Sequence, residues 1–282
     1  MITYRTATLV RGLAFPEGPR WHGGRLWFTD QHARTVNAVD EAGRLQRVAE
    51  TEDLPGGLAW LPDGSMLVVF MTQRRLMRFD RGEFGEYVDL SRLAAFHCND
   101  MVADARGRVY AGNFGYDLHG GDPPRETEII LVDTDAGAEV FAGQVIFPNG
   151  SIITPDGRTL LVAETFAHRI AAFGLDDRGR MTSRRIWAEL GTATPDGICL
   201  DAEGALWIAS PGSGELLRVA QGGAVLARCE TIGTPYACML GGADRRTLFV
   251  CTAETDDPKQ ALALASGRIE QVRVETPGDG LP

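Results

Sequence analysis

The feature that most constrains this chain is a pattern that recurs six times along its 282 residues. Each copy opens on four residues: Phe15-Pro16-Glu17-Gly18, Leu54-Pro55-Gly56-Gly57, His97-Cys98-Asn99-Asp100, Phe147-Pro148-Asn149-Gly150, Thr194-Pro195-Asp196-Gly197 and Thr234-Pro235-Tyr236-Ala237. Five of the six carry Pro at the second place. An apolar stretch follows, then a turn such as Pro62-Asp63-Gly64 or Pro155-Asp156-Gly157, then a second apolar stretch such as Met66-Leu67-Val68-Val69 or Ala205-Leu206-Trp207-Ile208-Ala209. Asp-Gly and Gly-Gly at these turns supply the positive φ that tight hairpins need. The second stretches are nearly continuous apolar runs, which predicts strands buried on both faces.

The copies recur roughly every 40 to 50 residues, the period of a four-stranded propeller blade. Further strands fit within each copy, for instance Thr35-Val36-Asn37-Ala38-Val39 and Leu216-Leu217-Arg218-Val219. The segment Thr6-Ala7-Thr8-Leu9-Val10 precedes the first opening and is expected to complete the last blade, closing the ring. The expected fold is therefore all-β, one six-bladed β-propeller domain over residues 1–282. A stacked solenoid or two β-sandwiches would explain the period less well. The 34 glycines, spread without a collagen period, suit a chain built from many short strands and tight turns.

In a propeller the innermost strand of each blade lines the axial channel, so equivalent positions converge in space. The third place of each opening gives Glu17, Gly56, Asn99, Asn149, Asp196 and Tyr236, four of which carry carboxylate or amide oxygens. Asn and Asp also favour turns, where they bond the local backbone. Two carboxylates brought to about 4 Å at an effective dielectric near 20 would repel by roughly 4 kcal/mol. A shared proton or a bound cation must offset that. No basic residue occupies any of the six places, which makes the cation the simpler answer, and hard oxygen donors suit Ca²⁺, Mg²⁺ or Mn²⁺ better than a thiolate- or His-rich zinc site does.

A formal net charge of −10 argues against binding nucleic acid or an anionic membrane, because both require clustered Lys and Arg. The five cysteines, Cys98, Cys199, Cys229, Cys238 and Cys251, include no Cys-x-x-Cys pair and fit a reducing compartment. Met1 to Val10 holds no unbroken apolar run of signal length, so the expected location is cytoplasmic. The chain has no Gly-x-Ser-x-Gly elbow and no phosphate loop, which leaves serine-nucleophile and nucleotide chemistry without support.

Glu17-Gly18-Pro19-Arg20-Trp21, Asn99-Asp100 with the trailing Asp104 and Gly107, Phe147-Pro148-Asn149-Gly150 and Pro195-Asp196-Gly197 together resemble the SMP-30/gluconolactonase/LRE-like family over essentially the whole chain. The resemblance implies a single divalent metal, calcium first, with magnesium, manganese or zinc as alternatives. It implies ligands at Glu17, Asn149 and Asp196, with Asn99 as a nearby ligand or substrate contact. It also implies hydrolysis of a small lactone, a sugar aldonolactone or a more apolar one, with Asp196 as the catalytic base.

One departure bears on the substrate. Two residues before Asn99, the family's sugar-lactone members commonly carry Arg, and this chain has His97, which lacks the fixed fork of donors that suits polyhydroxylated ligands. Loops after the second strand of each blade should open beside the metal. Several are aromatic or apolar, including Phe70-Met71, Phe114-Gly115-Tyr116 and Phe166, and the last opening adds Tyr236 and Met239. His97, Asn99, Phe114, Tyr116 and Tyr236 are thus the expected substrate contacts, and residues 113–127, with Asp117 and His119, form a candidate lid. The competing readings are a promiscuous esterase or phosphotriesterase at the same metal, and a non-catalytic propeller that binds a metabolite or calcium.

Overall fold

The computed structural model describes residues 1–135 and 137–280; the last two residues of the expected domain lie outside the described residues. The strands form six sheets, each holding one copy of the repeat, and the chain folds as a six-bladed β-propeller. In the first blade Pro16–His22, Arg25–Asp30, Thr35–Val39 and Leu45–Glu50 pair in sequence order. The second, third and fourth blades repeat that meander from Pro55–Trp60, Cys98–Ala103 and Pro148–Ile153 outward. The innermost strand of the fifth blade is short, Ile198–Leu200, and that of the sixth is Thr234–Gly241.

The second strands are largely buried, as their apolar runs predict. Met66–Phe70, Val109–Asn113, Leu206–Ser210 and Thr247–Ala253 are buried along their whole length, packed between neighbouring blades. The hairpin turns carry their glycines at positive φ, Gly64 at 85° and Gly157 at 68° among them, a region costly for residues with a Cβ.

The N-terminal segment closes the ring. Ala7–Leu13 is the fourth strand of the last blade and runs antiparallel to Gly267–Arg273. Beyond the expected closure, Ile2–Arg5 adds a fifth strand to the fifth blade, parallel to Val225–Glu230. The two segments tie the N-terminus to two adjacent blades. A short helix, Pro258–Leu264, follows the second strand of the last blade; Asp257 caps it by accepting from the Gln260 amide at 2.8 Å, and Pro258 opens it. Pro is suited to the first helical position because the amide it lacks has no partner there anyway.

The fourth place of each opening explains how closely the inner strands approach. A Cβ added to Gly197 would lie 2.5 Å from the Ala237 Cα, and one added to Gly150 would lie 2.7 Å from the Gly197 Cα. These glycines therefore let three consecutive blades touch backbone to backbone around the channel. No helix among the described residues is long and apolar enough to cross a membrane, and all five cysteines are free and buried.

Candidate active site

The third-place residues converge as the repeat requires. Glu17, Asn99, Asn149, Asp196 and Tyr236 line one cavity of about 320 Å³ at one end of the channel. Each sits at or beside the start of an innermost strand. The amides and carboxylates are linked. Asn99 Nδ2 donates to Asn149 Oδ1 at 3.1 Å, Asn149 Nδ2 donates to the Thr165 hydroxyl at 3.3 Å, and Thr165 donates to the Pro195 carbonyl at 2.8 Å. The Asn149 amide also lies near enough to Asp196 to favour the charged form of its carboxyl.

Both carboxylates are under electrostatic stress. Burial pushes Glu17 up to about 7, offset in part by the Gly18 amide, which donates to Glu17 Oε2 at 2.9 Å. Burial first, then the charge of Glu17, holds Asp196 well above the usual carboxylate range, with Asp100 and Asp256 adding to it. One cation lies near by sequence and structure, the Arg20 guanidinium, but it is buried against Asp100 at 2.8 Å and donates to the Met101 carbonyl at 2.6 Å. Arg20 is thus engaged mainly by Asp100, and its charge offsets Glu17 only in small part. A second, smaller cavity of about 20 Å³ shares Glu17, Asn99 and Asn149 with the first and is lined also by Arg20 and Asp100.

That donor set fits a hard divalent cation. Among the described residues no group of three or more His, Cys, Asp or Glu side chains converges in ligand geometry; the convergent donors are two carboxylates and two amides, all offering oxygen. A half-turn of the Asn149 amide exchanges its oxygen and nitrogen and presents an oxygen beside Asp196. Oxygen-only sites of this kind are those of calcium, magnesium or manganese.

The other expected contacts divide. Phe114 and Tyr236 line the cavity with Asn99, whereas His97 and Tyr116 do not. The His97 ring is stacked on Phe96 at 4.1 Å, with Phe114 6.4 Å away on its far side, and burial lowers its basicity. Tyr116 is wholly buried and packs on Phe147 at 5.8 Å, where its hydroxyl has no partner. Phe70, Met71 and Met239 are core residues, while Phe166 does reach the cavity.

Within the expected lid, Leu118 and His119 line the cavity. Asn113 pins both ends of that loop, since its Oδ1 accepts from the Gly115 amide at 2.9 Å and from the Thr127 hydroxyl at 2.8 Å.

Several lining residues were not singled out from the sequence. Phe15, Phe147 and Thr194 occupy the first place of their openings and line the cavity, so the same repeat that exposes the third place could have exposed them. Gln31, His32, Thr165, Pro211 and Asp256 also line it, each just beyond the second strand of a blade. His32 is buried, stacked on Phe15 at 5.0 Å, with Nε2 held 3.0 Å from the Asp256 carbonyl.

Fold and site together define a six-bladed propeller with two buried carboxylates and two amides on the wall of a largely aromatic cavity. The family model of the SMP-30/Gluconolactonase/LRE-like region matches residues 15–254, and the chain belongs to that family. It is 28% identical to 6-deoxy-6-sulfogluconolactonase of Pseudomonas putida, over 86% of this chain and 87% of that protein. It is 29% identical to pentonolactonase XacC of Haloferax volcanii, over 85% of this chain and 82% of that protein. The structure of a calcium-binding protein, regucalcin, from Agrobacterium tumefaciens superposes with a TM-score of 0.84 at 22% identity, covering 100% of this chain and 98% of that one, a likeness of fold.

Proposed function

We propose that this protein is a metal-dependent lactonase in which Glu17, Asn149 and Asp196 hold one divalent cation and Asp196 serves as the base. The observation that carries the reading is the pair of buried, mutually repelling carboxylates among amide oxygens at the floor of a substrate-sized cavity. The two curated relatives named above are lactonases by name, which supports ester-ring opening as the reaction. Calcium is the first candidate ion, with magnesium, manganese and zinc following it.

A divalent cation held by these oxygens supplies polarisation of an ester carbonyl and acidification of water. The chain's own residues do the rest. Asp196, ionised beside the cation, accepts the proton of the attacking water. The Asn149 amide, anchored on Thr165, stands beside Asp196 and favours its charged form. Asn99 carries an amide on the cavity wall that can donate to the substrate's ester oxygen. The water oxygen bonds to the acyl carbon, the acyl–oxygen bond breaks to open the ring, and the leaving oxygen takes the proton held by Asp196 and departs as a hydroxyl.

Asp196→Asn tests the assignment because it keeps an oxygen donor and removes the base. Turnover of a lactone should fall by about 10²–10⁴-fold, while calorimetry still registers cation binding. A variant that retains wild-type turnover contradicts the role given to Asp196.

A further inference from the structure

The cavity above the carboxylates has a strongly one-sided chemistry. Its wall carries Phe15, Phe114, Phe147, Phe166 and Tyr236, and no Lys or Arg among the described residues lines it. Three of the aromatics form one continuous face: Phe114 stacks on Phe147 at 4.6 Å with 22° between planes, and Phe166 meets Phe147 at 4.9 Å. Phe147 adopts φ 51°, a left-handed backbone that bulky L residues rarely take and that tends to be kept where a site needs it. Its carbonyl accepts from the Thr165 amide at 3.2 Å, which locks the central plate of the face to the turn carrying Phe166. Phe166 itself is 38% exposed, so part of that face stands open at the mouth.

Several polar side chains of the wall are turned toward the protein. Thr165 donates to the Pro195 carbonyl at 2.8 Å, the Thr194 hydroxyl accepts from the Gly212 amide at 2.8 Å, and Gln31 Nε2 contacts Met71 Sδ at 2.8 Å. The wall's ionisable side chains beside these are Glu17, Asp196 and Asp256, with His32 and His119. Beyond the cation assigned to Glu17 and Asp196, a carboxylate, sulfonate or phosphate on the substrate would find no guanidinium or ammonium on the wall and would face Asp256. A polyol would meet aromatic carbon over much of its surface.

Resting on the lactonase reading, we infer that the substrate is an uncharged lactone bearing a hydrophobic substituent, with the ester placed at Asp196 and Asn99 and the substituent seated on Phe114, Phe147 and Phe166. Apolar contact of this kind separates substrates by one to two orders of magnitude for each well-placed group. It acts through all states alike, so it appears mainly in KM.

The test compares a γ-lactone carrying a pentyl chain with glucono-δ-lactone, on the metal-loaded protein, followed by proton release. The pentyl lactone should have the higher kcat/KM by at least about tenfold. Phe166→Ser and Phe114→Ser should each shrink that preference by about tenfold, through KM rather than kcat. Phe166 is partly exposed, so its replacement leaves the core intact. A preference for glucono-δ-lactone, or a ratio unmoved in both variants, overturns the inference while leaving the lactonase reading in place. If neither compound is hydrolysed the lactonase reading fails, and equilibrium dialysis of the pentyl lactone then decides for the aromatic face. Retention by the wild type that is lost in Phe166→Ser supports it, and no retention overturns it.

Discussion

Replacing Glu17 by Gln should have opposite effects on binding and on stability. Without a cation, the folded state must bury Glu17 beside Asp196, and burial lifts Glu17 to about 7. In strong acid both folded and unfolded chains hold the proton, and the site costs nothing. As pH rises from about 4.5 toward 7, the unfolded chain releases its proton before the folded one does, so metal-free stability falls with rising pH. A bound cation keeps both carboxylates ionised in the fold and removes that slope. The melting temperature of chelated protein is therefore expected to drop between about pH 5 and pH 8, and that of metal-loaded protein to hold. Glu17→Gln should flatten the slope of the chelated protein while weakening cation affinity by at least about tenfold. Parallel melting curves for chelated wild type and variant across that range would refute this picture of the site.

Much of the site at this scale was legible because a repeat turns sequence position into spatial position. Glu17, Asn99, Asn149, Asp196 and Tyr236 share the third place of the opening and do share the cavity. The first place was equally readable, since Phe15, Phe147 and Thr194 occupy it. Arg20 pairing with Asp100 was not readable, for the two residues lie 80 positions apart on the inner strands of the first and third blades and meet only by reaching past the inner strand of the second. His97 and Tyr116 fall in the right loops, yet one stacks on its own neighbour Phe96 and the other turns into the core, a choice of side-chain direction that loop membership does not determine.

Among the elements, the innermost strands carry the tightest constraint. Gly197 can take no side chain without its Cβ meeting Ala237 in the next blade at 2.5 Å. Gly197→Ala should therefore destabilise the fold by about 1–3 kcal/mol and disturb Asp196, its direct neighbour. Thermal denaturation with a cation titration would detect both effects, and an unchanged melting temperature would mean that the strands separate more freely than their packing suggests. The second strands, the hairpin glycines and the closing strand follow from hydrophobic pattern and turn chemistry. The helix Pro258–Leu264 was missed, although Asp257-Pro258 followed by Lys, Gln, Ala and Leu is a helix start; the strand rhythm on either side obscured it. Ile2–Arg5 was missed for a different reason. Its residues are mostly exposed, so the pairing rests on backbone hydrogen bonds that leave no mark in the side-chain pattern.

For the molecule as a whole, the ring is closed by its own N-terminus. Removing residues 1–13 strips the fourth strand from the last blade and the fifth strand from its neighbour, exposing two strand edges. The truncated protein should melt earlier, lose cooperativity and aggregate, as calorimetry and light scattering would show. Retention of a single sharp transition at the wild-type temperature would mean that closure contributes little. Closure also matters for the site, because Glu17 follows the closing strand directly while Tyr236 and Asp256 belong to the blade that strand completes.

The central claim joins the cation to ester hydrolysis. Its most direct measurement follows proton release from a panel of lactones by the purified protein, first as isolated, then after chelation, then with calcium, magnesium or manganese restored. Hydrolysis should vanish on chelation and return with at least one of these ions; turnover that persists undiminished in the stripped protein would contradict the roles given to Glu17, Asn149 and Asp196.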